Sequence, residues 1–185
     1  SLQFLIDELL GHEALVRKVA MNRYGSRIIQ QLLKKCGVSQ LSGLAEKVLQ
    51  SAVELSCHAF GNFVVQHLMK FGTAEQKYSL VRTVEQNVEK IARSNVGGGV
   101  VEAALSNAAA EDLIWIARAV IQDPCRVSEL ATGRHGHAAV LQALSALPKK
   151  ERSRACHVLT ESLAELRASR YGKKVAAYLE ASAEQ

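Results

Sequence analysis

Proline is nearly absent from this chain, with 2 in 185 residues, and glycine is modest at 12. Breakers are too few for a turn-rich sandwich or barrel, while Ala, Leu, Glu, Gln, Lys and Arg abound, so an all-α fold is predicted. No apolar run approaches the roughly 18 residues of a membrane span, and no signal peptide or lipidation motif is present. The 4 cysteines, Cys36, Cys57, Cys125 and Cys156, lie far apart without a CxxC pair. They read as reduced packing residues of a cytosolic or nuclear protein. Blocks of like charge are also missing: 23 Lys and Arg against 18 Asp and Glu leave a net charge of +5. That balance permits an anionic partner such as nucleic acid without demanding one. What is plentiful is apolar content, 48% of the chain, enough to fill the core of one or two domains. The first residue is Ser1 rather than Met, as in a piece of a longer chain.

One short stretch recurs. Phe60-Gly61-Asn62-Phe63-Val64-Val65-Gln66 sets two amides four residues apart beside an aromatic ring. On a helix, i and i+4 share a face, so Asn62 and Gln66 converge while Val64, Val65, Leu68 and Met69 form a buried stripe. Two exposed amides and a ring can bond the edge of a base and stack on its face. The same pattern surrounds Gly25, Gly97, Gly136 and Gly172, so that successive glycines are 36, 36, 39 and 36 residues apart. Apolar columns recur with it. Val19, Leu55, Ile91, Leu130 and Leu166 stand six residues before the glycines, and Val16, Ala52, Val88, Val127 and Leu163 nine before. Units that share apolar columns at this period must bury their faces against one another, which predicts a solenoid.

The expected units are 1–36, 37–72, 73–108, 109–147 and 148–185, the last a C-terminal cap, together one repeat domain. Three helices are expected in each: 2–10, 12–21 and 25–35; 39–50, 51–56 and 61–71; 74–85, 87–93 and 97–106; 110–121, 127–131 and 136–146; 149–160, 161–168 and 172–183. Gly37 and Gly72 are expected to close their helices as C-caps, and Thr73 with Gln76 to form a capping box. The three extra residues of the fourth unit are placed in a loop through Asp123-Pro124.

This pattern resembles the Pumilio (PUF) family of RNA-binding repeat proteins over essentially the whole chain. The order of its variants is similar to the C-terminal half of a Pumilio domain: Ser26-Arg27-x-x-Gln30, Asn62-Phe63-x-x-Gln66, Gly98-Gly99-x-x-Glu102, the 39-residue spacing, then Tyr171-Gly172-Lys173-Lys174. The resemblance implies an α-solenoid of about five three-helix repeats in a curved right-handed superhelix, the third helices lining the concave face and each reading one base. It implies that Ser26 with Gln30 reads A and Asn62 with Gln66 reads U, with Arg27 and Phe63 as stacking residues. Gly98 stands where the family places Ser, and Glu102 keeps the acceptor-only carboxylate that suits guanine. His137 takes the equivalent base-edge position, but Leu141 cannot hydrogen-bond. Arg23, Arg134, Lys173 and Lys174 are the phosphate candidates. The implied partner is single-stranded RNA, an mRNA 3′ untranslated region, read as UGUA-like with only U and A secure.

Other chemistry finds little support. Gly97-Gly98-Gly99 is not followed by Gly-Lys-Ser/Thr, so no phosphate loop is formed. Cys57-His58 and Cys156-His157 fall in non-neighbouring units and read as helix-junction residues, not zinc ligands. No nucleophile constellation recurs, and an open array offers no deep pocket; neither an enzyme nor a cofactor is expected. Trp115 is expected in the core with Leu113, Ile114 and Ile116, the alternative being an anchor for a protein partner on the convex face. The function expected is post-transcriptional control of mRNA in the cytoplasm. The alternative is a protein scaffold, or a divergent PUF-like ribosome-assembly factor in the nucleolus, with little base-specific reading.

Overall fold

The computed structural model describes residues 2–12 and 14–183. Among these residues there are fourteen helices and no strand. In order they are α1 (Leu2–Leu10), α2 (Leu15–Ala20), α3 (Gly25–Lys35), α4 (Val38–Gln50), α5 (Ala52–Ser56), α6 (Gly61–Phe71), α7 (Ala74–Ala92), α8 (Gly98–Asn107), α9 (Ala110–Ile121), α10 (Pro124–Thr132), α11 (His137–Ala146), α12 (Lys149–Thr160), α13 (Leu163–Ala168) and α14 (Gly172–Ala183). The five glycines open, or immediately precede, α3, α6, α8, α11 and α14. These five helices pack in sequence, α3 on α6, α6 on α8, α8 on α11 and α11 on α14, as a solenoid requires.

The glycine column has a packing cause. A Cβ built on Gly25, Gly61, Gly97, Gly136 or Gly172 would lie within 3.0 Å of the carbonyl oxygen of the apolar residue six positions earlier. Only a hydrogen at that place lets the short helix before each turn press its last carbonyl against the next helix. The two columns read from the sequence, glycine and apolar residue at minus six, are therefore the two halves of one contact. No described glycine has a positive φ, so close approach and not a left-handed turn is the constraint.

Along each glycine-led helix the apolar stripe is sealed: Val64, Val65, Leu68 and Met69 are all at most 1% exposed. Burying a side chain of this size contributes about 1.5–3 kcal/mol. The residue three after the glycine reports position in the array. Val64, Val100, Ala139 and Val175 are 0% exposed, whereas Ile28, on the first helix of the row, is 49% exposed. At the other end the columns that earlier carry buried Ser26 and Asn62, and Leu33, Met69, Leu105 and Leu144, end in exposed Lys173 and Glu180.

Local signals explain most boundaries. Thr73 Oγ1 accepts from Gln76 N at 3.1 Å while Gln76 Oε1 accepts from Thr73 N at 3.0 Å, the expected capping box. Helix α7 contains both helices expected of its unit, separated by a non-helical Asn87 whose Nδ2 donates to Thr83 O at 2.9 Å. Three expectations are corrected. Gly37 lies beyond the Cys36 cap of α3 and instead starts α4, its N–H donating to Gln40 Oε1 at 3.2 Å, whereas Gly72 caps α6 as expected. The residues after Asp123 are helical, because Asp123 Oδ1 caps Cys125 N and Arg126 N and Pro124 fits the first helical position. Trp115 is 58% exposed, its ring beneath the Arg118 guanidinium at 5.7 Å, because it lies on the flank of α9 away from buried Ile116 and Ala117.

Ion pairs join successive first helices or neighbours of them. Arg17 meets Glu54 at 2.9 Å, Arg82 meets Asp112 at 3.2 Å, and Arg118 grips Glu151 with two bonds of 2.8 Å. That grip holds the Glu151 carboxyl below its ordinary range and raises the Arg118 guanidinium. The Arg17–Glu54 and Arg118–Glu151 pairs are open to water and serve register more than stability, whereas Asp112 is largely buried.

Candidate nucleic-acid interface

Each glycine-led helix is entered through a turn whose first residue lies three before the glycine: Asn22, His58, Ser94, Gly133 and Ser169. Four of these side chains accept from the turn's free N–H groups. Asn22 Oδ1 takes Tyr24 N and Gly25 N, His58 Nδ1 takes Phe60 N and Gly61 N, Ser94 Oγ takes Val96 N, and Ser169 Oγ takes Tyr171 N and Gly172 N. The serines also tie units together, Ser94 donating to Cys57 O at 3.3 Å and Ser169 to Thr132 O at 2.8 Å. This column positions the side chains that follow it.

Between α3 and α6 lies an open cleft of about 320 Å³ lined by Arg23, Ser26, Arg27, Gln30, Ala59, Phe60 and Phe63. Five of these seven were singled out in the sequence as base-edge, stacking or phosphate residues, and the fold brings them to one place. Arg27 from α3 and Phe63 from α6 are both exposed on its borders, Phe63 at 41%. Ser26 and Gln30 share its α3 wall; Ser26 is 2% exposed, with Oγ donating to Arg23 O at 3.3 Å. A planar group entering this cleft would meet a guanidinium, a ring, a hydroxyl and an amide. Phe60 and Ala59 were not anticipated, although the aromatic before the glycine in Tyr24, Phe60 and Tyr171 marks the position.

The second window differs from its sequence reading. Asn62 is not an exposed amide but 2% exposed, because Nδ2 donates to His58 O at 2.8 Å and Ala59 O at 3.0 Å. Its Oδ1 accepts from Gln66 Nε2 at 2.9 Å. The amide pair is thus closed on itself, and what remains outward is one Gln66 N–H and its Oε1, a donor and an acceptor side by side. Gln66 rests against the next helix: a Cβ at Gly99 would stand 2.9 Å from Gln66 Nε2. The glycine in the stacking column therefore makes room for Gln66.

Further along, the chain occupies its own windows. Gly98 is buried, and the main chain of His135 and Gly136 sits where its Cβ would be, which removes it from any base edge. Glu102 is half-buried and forms no ion pair among the described residues. The His137 ring stacks on Tyr171, with centroids 5.4 Å apart and planes at 25°, and its Nδ1 lies 3.3 Å from Gly133 O. One face of that ring is consequently covered. Arg23, Arg134, Lys173 and Lys174 are the phosphate candidates, and all four are exposed, as phosphate contact needs. Arg170, which sequence reading passed over, is exposed too and lies over Tyr171 at 5.8 Å, as Arg23 lies over Tyr24 at 5.8 Å. The signal was the column two before the glycine, where Arg23, Arg134 and Arg170 recur.

Cys57 and Cys156 are half-buried, and burial pushes both thiols up. His58 spends its Nδ1 on the turn, and no group of three or more His, Cys, Asp or Glu converges among the described residues. No described helix is long and apolar enough to cross a membrane.

Comparison with known proteins finds a matching repeat and a shared fold. Residues 16–49 and 51–84 match the Pumilio-family RNA binding repeat. No curated protein matches the chain by sequence. Among solved structures, the chain is similar to PUF-8 in complex with PBE-RNA, at 23% identity and a TM-score of 0.75, over 96% of this chain and 53% of that one. It is likewise similar to the Puf3 RNA binding domain bound to a Cox17 RNA 3′ UTR recognition sequence, at 22% identity and a TM-score of 0.74 over 92% of this chain and 48% of that one. Yeast Puf5p bound to SMX2 RNA gives 19% identity and a TM-score of 0.73 over 98% and 57%. The chain spans about half the length of each of these structures. Two Pumilio-family RNA binding repeats are thus matched within residues 16–84, and the chain shares the fold of these solved domains along nearly its whole length.

Proposed function

We propose that the face formed by α3, α6, α8, α11 and α14 binds single-stranded RNA with a preference for a UGUA-like element, in post-transcriptional control of mRNA. The observation that carries this reading is the α3–α6 cleft, where Arg27, Phe63, Ser26 and Gln30 surround one space of base size. A base there would be held on one face by a guanidinium and on the other by a ring, each stack contributing about 1–3 kcal/mol. Ser26 and Gln30 read A in that cleft, and Gln66, held by Asn62, reads the U that precedes it. The closed windows at Gly98 and His137 leave the remaining nucleotides to phosphate contacts with Arg134, Arg170, Lys173 and Lys174, so specificity rests on U and A. The target is an mRNA 3′ untranslated region met in the cytoplasm.

The test is the double variant Asn62→Ala, Gln66→Ala, assayed with a labelled UGUA-containing RNA. Loss of most of the preference over a scrambled RNA supports the reading; unchanged affinity and preference would remove it.

A second reading is favoured by a different observation. Trp115 is 58% exposed and borders a hollow of about 270 Å³ with Arg118, Ala119, Ile121 and Gln122. This surface suits a protein partner, and with the closed windows it supports a scaffold or ribosome-assembly role in which base reading is weak. Binding of RNA with no base preference would favour it.

A further inference from the structure

His58 makes two kinds of contact at the start of α6. Its ring Nδ1 accepts from Phe60 N at 3.2 Å and Gly61 N at 3.3 Å, and its carbonyl oxygen accepts from Asn62 Nδ2 at 2.8 Å. Asn62 Oδ1 then accepts from Gln66 Nε2 at 2.9 Å. An unbroken chain of hydrogen bonds therefore runs from the imidazole, through the turn it holds, to the one amide that faces outward. The ring nitrogen can accept only in the neutral tautomer that carries its proton on Nε2.

We propose that His58 is a positioning residue for base selection: it touches no RNA but sets the orientation of Asn62 and through it the donor and acceptor of Gln66. The proposal rests on the RNA reading above and names the residue that holds its second window. With Nδ1 in place, the turn at 58–61 keeps the carbonyls of His58 and Ala59 aimed at the Asn62 amide. Asn62 is then locked with its oxygen toward Gln66. Without Nδ1, two turn N–H groups lose their acceptor, the turn relaxes, and the Asn62 amide loses the pair of carbonyls that decides which way it faces. Gln66 would then present either order of donor and acceptor, and U would no longer be told from C, which has the opposite order on the same edge.

The column itself supplies the controls. Asn22 performs the same capping with a side-chain oxygen, so His58→Asn preserves the function. Gly133 stands in this column with no side chain, so the fold tolerates the loss of a cap. Ser94 caps the next unit without holding any base-edge side chain, so Ser94→Ala reports the loss of a cap together with that of its bond to Cys57 O.

The experiment measures binding of two labelled single-stranded RNAs, one containing UGUA and the other UGCA, to the wild type, His58→Ala, His58→Asn and Ser94→Ala. The expected result is a wild-type preference for UGUA that falls about fivefold in His58→Ala, through weaker UGUA binding together with stronger UGCA binding. His58→Asn restores the preference, and Ser94→Ala retains it. Retained preference in His58→Ala, failure of His58→Asn to restore it, or an equal loss in Ser94→Ala would overturn the proposal, as would thermal melts showing that His58→Ala does not fold. A wild type with no preference between the two RNAs would instead overturn the RNA reading on which the proposal stands.

Discussion

Replacing Gly98 by serine is the perturbation on which sequence logic and structure disagree most sharply. By family pattern, a serine at this place beside Glu102 would restore a guanine-reading pair. The structure gives the opposite outcome, since a Cβ at Gly98 would fall within 3 Å of the His135 carbonyl and of Gly136 Cα. Those are main-chain atoms of the turn into α11, and they cannot rotate aside. Overpacking of this kind costs about 1–3 kcal/mol, less the roughly 0.5 kcal/mol gained because Ser is a better helix former than Gly. At about 2–4 °C per kcal/mol for a chain of this size, Gly98→Ser should lower the melting temperature by about 1–10 °C. Gly99→Ser is the matched control, because its Cβ would meet only the amide end of Gln66, a flexible side chain that can move aside by giving up its bond to Asn62. It should melt at or slightly above the wild type and disturb U reading instead. Thermal unfolding followed by far-UV circular dichroism checks both. A Gly98→Ser melting temperature equal to or above the wild type would refute the contact between the His135 turn and α8.

Three further outcomes follow from the same geometry. Phe63→Ala removes an exposed ring from the α3–α6 cleft, so it should weaken RNA binding by about 1–3 kcal/mol with a melting temperature close to wild type, read by titration and melting together. Gly97→Ala drives a Cβ into the Ile91 carbonyl and should cost about 1–3 kcal/mol of stability by urea titration, an effect absent from Gly11→Ala, where a Cβ meets only ordinary contacts of 3.5 Å. Raised thiols carry less thiolate, so near neutral pH iodoacetamide should label exposed Cys125 before Cys57 and Cys156; mass spectrometry after brief exposure gives the order.

The glycine period and the apolar column six residues before it were legible because packing imposes glycine at one and an apolar residue at the other; even at Gly61 a Cβ would stand only 3.0 Å from the Leu55 carbonyl oxygen. The helices followed, since Val64, Val65, Leu68 and Met69 repeat at helical spacing. The cap column was not legible: Asn22, His58, Ser94 and Ser169 have in common a hydrogen-bond acceptor but no size or charge, so their recurrence is chemical and not alphabetical. Nor could spacing show that Asn62 is captured by two carbonyls of its own turn; it places Asn62 and Gln66 on one face and is silent about what else lies there. Gly98 read as a missing serine because the backbone that replaces the side chain comes from residues 135 and 136, in another unit. Gly72 read as a helix end and is one, whereas Gly37, one residue past the end of α3, serves the start of α4.

The most direct test of the account is the binding of labelled RNAs containing UGUA, UGCA, UCUA and a scrambled element, followed by fluorescence anisotropy at two salt concentrations. If the α3–α6 cleft and Gln66 read A and U while Gly98 and His137 are closed, UGUA should bind more tightly than UGCA by about fivefold or more at both salts, with UCUA nearer to UGUA than to the scrambled RNA. Equal affinity for all four, falling steeply with salt, would mean that only phosphates are held and would contradict it.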